Sequence, residues 1–259
     1  TRYFSSAASD VYKRQPDFNM GIHKSLKNSY SNKNIQVVSP SVWGWRQNRI
    51  KAIQTNIDLT LCLFNFEDNY YKKVGHKSMH VGHPFSELYK EDYEVVVNKY
   101  NLTKNKRFIS VLPGSRKSEV KNMLPTFIEF IKEHSLNNKD YFYLLPVADI
   151  ELLPLINQSF QDLDLPILIR KNAMKDFLSV SELSIATSGT ATLESAILEC
   201  APVICYKTNF LNYSIISRML KIENIGLPNL LLSKRYYKEL LQKDFNKENI
   251  LKSVGQVVK

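Results

Sequence analysis

Cysteine is scarce in this chain: three in 259 residues, Cys62, Cys200 and Cys205, with no CxxC spacing and no Cys/His cluster. That excludes a disulfide framework and a structural zinc site, and it fits a reducing compartment such as the cytoplasm. Long apolar runs are lacking too. No stretch reaches the roughly 18 residues that a membrane-spanning helix needs, and no secretory leader is visible. Acids are outnumbered, 25 Asp and Glu against 35 Lys and Arg, for a net charge of +10. Such a balance suits anionic partners, whether phosphate-bearing substrates or an acidic membrane face. The lysines are scattered, however, and read equally well as solvated helix faces. No helix-turn-helix, RNA-binding or zinc signature accompanies them, so nucleic acid is not an expected partner. What is present is ordinary globular material, 44% hydrophobic and 11% aromatic. That is enough for one large domain or two smaller ones and argues against disorder.

Residues 1–15 (TRYFSSAASDVYKRQ) show no period and no fit to the rest of the chain, and read as a non-native leader. From Ile35 onward, short apolar runs alternate with helical stretches. Strands are predicted at 35–38, 58–64 and 79–81, with helices at 47–56 and 67–73 between them. A second series begins after Pro84, with strands at 108–112, 141–146, 167–169, 183–186 and 203–206. Helices are predicted at 91–100, 118–134, 150–160, 174–180 and 191–199, then at 211–220, 234–242 and 247–258. Repeated βαβ units predict an α/β fold with a mostly parallel sheet in two units, at 16–83 and 84–259, the joint lying near His83–Glu87. The first domain offers only about three strands and reads as incomplete.

Open parallel sheets bind ligands at the carboxyl ends of their strands, which singles out two loops. The first is Pro113-Gly114-Ser115-Arg116. Gly114 permits close backbone approach, Ser115 offers a hydroxyl, and Arg116 offers a planar fork of donors suited to phosphate. The free N–H groups of the next helix would add to this. The second is Ser188-Gly189-Thr190, opening a helix that carries Glu194. Small residues leave that helix end open to a diphosphate, and a carboxylate just inside it can accept from both ribose hydroxyls. Each loop taken alone is equally compatible with a tight turn or a helix cap. Two together favour a nucleotide-diphosphate site. A third segment, Ser39–Gln47, holds both tryptophans, Trp43 and Trp45, beside Arg46. It suits a sugar or acyl chain with a phosphate, or else contributes two core residues. Asp17, a lone acid near an expected strand end, reads from composition as a cap or a surface group, and His83 as part of the joint.

These segments, in this order, resemble the lipid-A-disaccharide synthases. VSPSVWGWRQNRI, GHP, LPGSRKSEV, SGTATLESA and LPNLL match motifs of that family, over about residues 16–242. The resemblance implies the two-domain GT-B glycosyltransferase architecture, with a cleft between the domains. It implies metal-independent transfer of diacylglucosamine from UDP-diacylglucosamine to diacylglucosamine 1-phosphate (lipid X). The products would be UDP and a β-1,6-linked disaccharide on the way to lipid A. The family acts on the cytoplasmic face of the inner membrane, and full-length members form homodimers. By the same resemblance Asp17 is the general base. Ser115, Arg116, Ser188, Gly189, Thr190, Glu194 and Asn229 bind the donor, and Trp43, Trp45 and Arg46 face the acceptor. Two departures stand out. Family chains carry a long segment before PDFN and continue well past LPNLL. Of the two acids in the family's GIDAPDFN, only Asp17 is present, and Arg14 stands at the other position. Alternative readings are another UDP-sugar enzyme of this architecture, an epimerase, or an inactive fragment.

Overall fold

A computed structural model describes residues 8–29, 31–38, 40, 42–43, 47–208 and 224–257, with the side chains of residues 8–17 outside that description. The chain forms two compact units. One spans Leu88–Thr208 and residues from Asn224 on, the other Ala8–Glu87.

The larger unit is built on near-continuous apolar strands, the pattern of a parallel sheet buried on both faces. β4 (Arg107–Leu112), β5 (Tyr141–Val147), β6 (Ile167–Lys171), β7 (Leu183–Thr187), β8 (Ala201–Tyr206) and β9 (Glu239–Leu241) form a six-stranded sheet in the order β6-β5-β4-β7-β8-β9. Every pairing is parallel. All five residues of β7 are buried. On one face lies α5 (Lys117–Asn137), whose Phe127, Phe130 and Ile131 join Ile250 and Val254 of α10 (Lys247–Val257) in the main core. A second cluster joins Val96 and Val97 of α4 (Tyr93–Tyr100) to Phe108 and to Phe177 of α7 (Met174–Val180). Local chemistry starts and stops these helices. The Asp92 carboxylate accepts from the N–H groups of Glu94 and Val95 at the start of α4, and Asn101, left-handed at φ 52°, ends it. α6 (Leu153–Phe160), α8 (Thr190–Ile197) and a short α9 (Leu227–Leu231) complete the unit.

Chain order reverses at the centre of this sheet. β4, β5 and β6 step outward one way, whereas β7, β8 and β9 step outward the other, with β4 and β7 paired. Their carboxyl ends are therefore the topological switch point, where the crossovers diverge and leave a crevice. Leu112 is the register partner of Ala186, so the two candidate loops leave adjacent strands side by side.

The smaller unit has a three-stranded parallel sheet in the order β1-β2-β3, from Ile35–Val37, Leu59–Cys62 and Ser78–His80. α2 (Ile50–Asn56) and α3 (Asn65–Lys73) pack through Ile53 and Tyr71 around Val42, Ile57 and Cys62. The Thr60 hydroxyl meets His76 Nε2 at 2.9 Å inside it. Ile35, Val37 and Met79 share a sheet face through the registers Ile35–Leu59 and Val37–Leu61–Met79, and all three are about half exposed.

Three expectations need correction. The residues before Pro16 show no period in the sequence, but α1 runs from Ala8 to Ser29. Asp17 therefore lies within a helix rather than at a strand end. The helix is tied down late in its course, where Met20 packs on the smaller core and the His23 carbonyl accepts from Asn34. Those are tertiary contacts with no local signature. Residues 234–242 have a helical pattern, but their end forms strand β9. Tyr236, Tyr237, Leu240 and Leu241 match a helical period, yet the free edge of β8 captures the segment, with Ile204 N donating to the Lys238 carbonyl at 2.9 Å. Consequently β8 does not close the sheet. The predicted helix at 211–220 lies outside the described residues.

Candidate functional site

The first loop departs from expectation in one respect: the N–H groups ahead of α5 are already satisfied. Glu119 Oε2 accepts from Ser115 N at 3.1 Å and Arg116 N at 3.3 Å, while Oε1 pairs with the Arg116 guanidinium. This is a capping box, with the N3 glutamate reaching back to the helix start. Gly114 is required here. Its φ is +110°, and a Cβ would lie 2.7 Å from Glu119 Cβ. Tyr206, at the end of β8, belongs to the same polar group. Burial foremost, and Glu119 after it, push its hydroxyl above the usual tyrosine range.

The second loop is open. Among the described residues no side chain caps the start of α8; Thr192 N turns back to the Gly189 carbonyl at 3.2 Å, and the positive end of the helix dipole lies at this loop. Gly189 has an extended backbone, and a Cβ there would meet nothing within 4 Å, so glycine is not dictated by strain. Thr190 is exposed. Ser188 is half-buried, and its hydroxyl donates to the Ile225 carbonyl at 3.2 Å. Thr187 Oγ1, at the end of β7, is buried without a hydrogen-bond partner among the described residues. Glu194 is the most unusual group. Its half-buried carboxylate has no hydrogen-bond partner among the described residues, and burial raises its pKa to about 7. A carboxylate shifted by burial at a strand end is a candidate functional group.

Asn229 does not line the crevice. It is 0% exposed, and its amide is fully used within the protein. Nδ2 donates to the Tyr237 carbonyl and to Glu239 Oε1, and Oδ1 accepts from Tyr236 N and Tyr237 N. The resemblance suggested a donor contact, and the structure gives a structural hub instead.

In the smaller unit Trp43 is neither fully buried nor free. Nε1 donates to Glu67 Oε1 at 3.3 Å, and the ring meets Phe66 edge-on at 4.8 Å. Glu67 itself caps α3, accepting from Phe64 N, and burial raises its pKa to about 7. His83 stacks on Phe64 at 5.0 Å, and its Nδ1 accepts from Phe85 N. Trp45 and Arg46 lie outside the described residues, and of Asp17 only the helical backbone is described. Among the described residues no group of three His, Cys, Asp or Glu gathers as a metal site.

Sequence reasoning missed Glu119, Glu239 and Glu67. Glu119 and Glu67 carry a local signal, an acid three residues into a helix ahead of its apolar face. Glu239 carries none, because its partners are 10 to 14 residues away in the chain.

Comparison with known proteins bears on the family and the fold. A family model described as lipid-A-disaccharide synthetase matches residues 9–258. Lipid-A-disaccharide synthase 2 of Legionella pneumophila strain Philadelphia 1 is 34% identical over 92% of this chain and 63% of its own length. Lipid-A-disaccharide synthase of Acinetobacter baylyi is 35% identical over 94% of this chain and 65% of its own. The chain thus spans just under two thirds of these relatives. Among solved structures, the Methanocaldococcus jannaschii UDP-GlcNAc 2-epimerase, in complex with UDP-GlcNAc and UDP, superposes with a TM-score of 0.54 at 15% identity. That match covers 93% of this chain and 72% of that one. WaaG, a glycosyltransferase involved in lipopolysaccharide biosynthesis, gives 0.53 at 10% identity, covering 95% and 74%. These distant matches speak to fold alone, and the fold is of the GT-B type, with Rossmann-like units. Motifs, topology and sequence identity together place the chain in the lipid-A-disaccharide synthetase family.

Proposed function

We propose that the larger unit binds the nucleotide of a UDP-sugar donor, for transfer of diacylglucosamine to diacylglucosamine 1-phosphate (lipid X) with inversion and release of UDP. The observation that carries this reading is the half-buried Glu194 carboxylate, without a partner among the described residues, on the helix after β7, the strand paired with β4, which leads into the Arg116 loop. Glu194 accepts from the ribose hydroxyls. The diphosphate lies against the open start of α8, with Thr190 and the Ser188 oxygen in reach, and draws the Arg116 guanidinium toward it. Charge developing on the departing diphosphate is what such preorganised donors stabilise. Asp17 takes the proton of the attacking acceptor hydroxyl, a role that rests on the family resemblance; a base of this kind supplies roughly 100- to 10,000-fold. Trp43, Trp45 and Arg46 meet the acceptor or its acyl chains. No metal is required, so a chelator leaves turnover unchanged.

Calorimetric titration of UDP is the direct test. Arg116→Ala and Glu194→Ala should each weaken binding about tenfold or more, in line with loss of a charged hydrogen bond. Binding indifferent to both changes would remove the donor site from this place. Turnover with a UDP-diacylglucosamine donor, set against UDP-GlcNAc, separates the transferase from an epimerase.

A further inference from the structure

A buried pair, Glu239 and Asn229, holds one short segment of backbone across the carboxyl end of β7. Glu239 is 7% exposed and sits opposite Ile204 in the β8–β9 register. Its Oε2 accepts from Ile225 N at 3.1 Å, and its Oε1 from Gly226 N at 3.1 Å and Asn229 Nδ2 at 2.8 Å. Gly226 is drawn in so closely that a Cβ there would lie 2.3 Å from Ile204 Cδ1 and 3.2 Å from Glu239 Oε1. The Ile225 carbonyl, on the same strap, receives the Ser188 hydroxyl. Beyond it α9 packs on α8, the helix that carries Glu194. Two donor-candidate residues thus have their surroundings set by a strap that one buried carboxylate anchors.

We propose that Glu239 is a positioning residue for the nucleotide donor: it fixes the Ile225–Gly226 strap, and through it Ser188 and the α8 end of the site, in the conformation that binds UDP. This rests on the donor-site reading above. A carboxylate is needed because all three groups it meets are N–H donors. An amide at this position would turn its own N–H groups against at least one of them, leaving buried donors opposed and releasing the strap.

The test combines UDP titration of the chain with amide exchange and thermal unfolding. Glu239→Gln should weaken UDP binding about tenfold and speed exchange at Ile225 and Gly226 by a similar factor. The UDP-induced shifts of those two amide signals should also be lost. Glu239→Asp, which keeps the charge but is one methylene short, should recover part of the affinity and folds even where the glutamine variant does not. UDP affinity within twofold of the parent in the aspartate variant, despite faster strap exchange, overturns the proposal; Glu239 then serves stability alone. A parent chain that folds but binds no UDP removes the donor-site reading and this proposal with it. Loss of affinity on Glu239→Gln, with none on Glu194→Ala, would instead keep the strap and discard the ribose contact.

Discussion

Glu194 concentrates the chemistry at the residue scale, because in the proposed site its protonation and its ligand compete. Its folded pKa is raised to about 7 by burial. The folded state therefore holds this proton more tightly than the unfolded chain does. The stability it contributes is full below the ordinary glutamate value and is lost as pH rises through about 7. In the proposed site ribose hydroxyls would donate to the ionised form, so UDP binding should release a proton and strengthen roughly tenfold between about pH 6 and pH 8. Calorimetry in buffers of different ionisation enthalpy measures that release, and a flat profile would rule out a Glu194 contact. Gly114 makes a separate prediction. With φ at +110° and Glu119 Cβ 2.7 Å from any added Cβ, Gly114→Ala should cost about 1–3 kcal/mol in denaturant unfolding.

The element scale separates signals that are local from those that are not. Most of the strands and helices of the larger unit were legible, because buried parallel strands are short apolar runs and their helices alternate with them. The two loops were legible for the same reason: Gly114 and Ser188-Gly189 fall directly after such runs. β9 was not. Its helical-looking period lost to the unpaired edge of β8, whose Ile204 N–H needed an acceptor. The internal role of Asn229 was not legible because nothing local tells a motif residue that touches ligand from one that knots the chain. Its four internal hydrogen bonds predict that Asn229→Ala costs about 3 kcal/mol, visible as a lower denaturation midpoint. Unchanged stability with weakened UDP binding would instead make Asn229 a ligand contact.

Charge acts at the scale of the whole molecule. No helix among the described residues is long and apolar enough to cross a membrane. The net charge of +10 nevertheless favours anionic surfaces. We expect the chain to sediment with vesicles containing phosphatidylglycerol and to come off as salt shortens the screening length to a few ångströms. Binding that ignores salt, or that neutral vesicles match, would exclude this attraction.

The sequence by itself determined the α/β class, the order of most strands along the chain, the family and the two loops that leave the carboxyl ends of β4 and β7. Each of these is written in local period or in contiguous motifs. Only the tertiary structure decided that Glu119 closes the first loop, that Glu194 stands half-buried without a partner among the described residues, and that Glu239 and Asn229 anchor a strap beside Ser188. Those facts depend on desolvation and on hydrogen bonds between residues distant in the chain. Burial and pairing of that kind exist only once the backbone has closed around them.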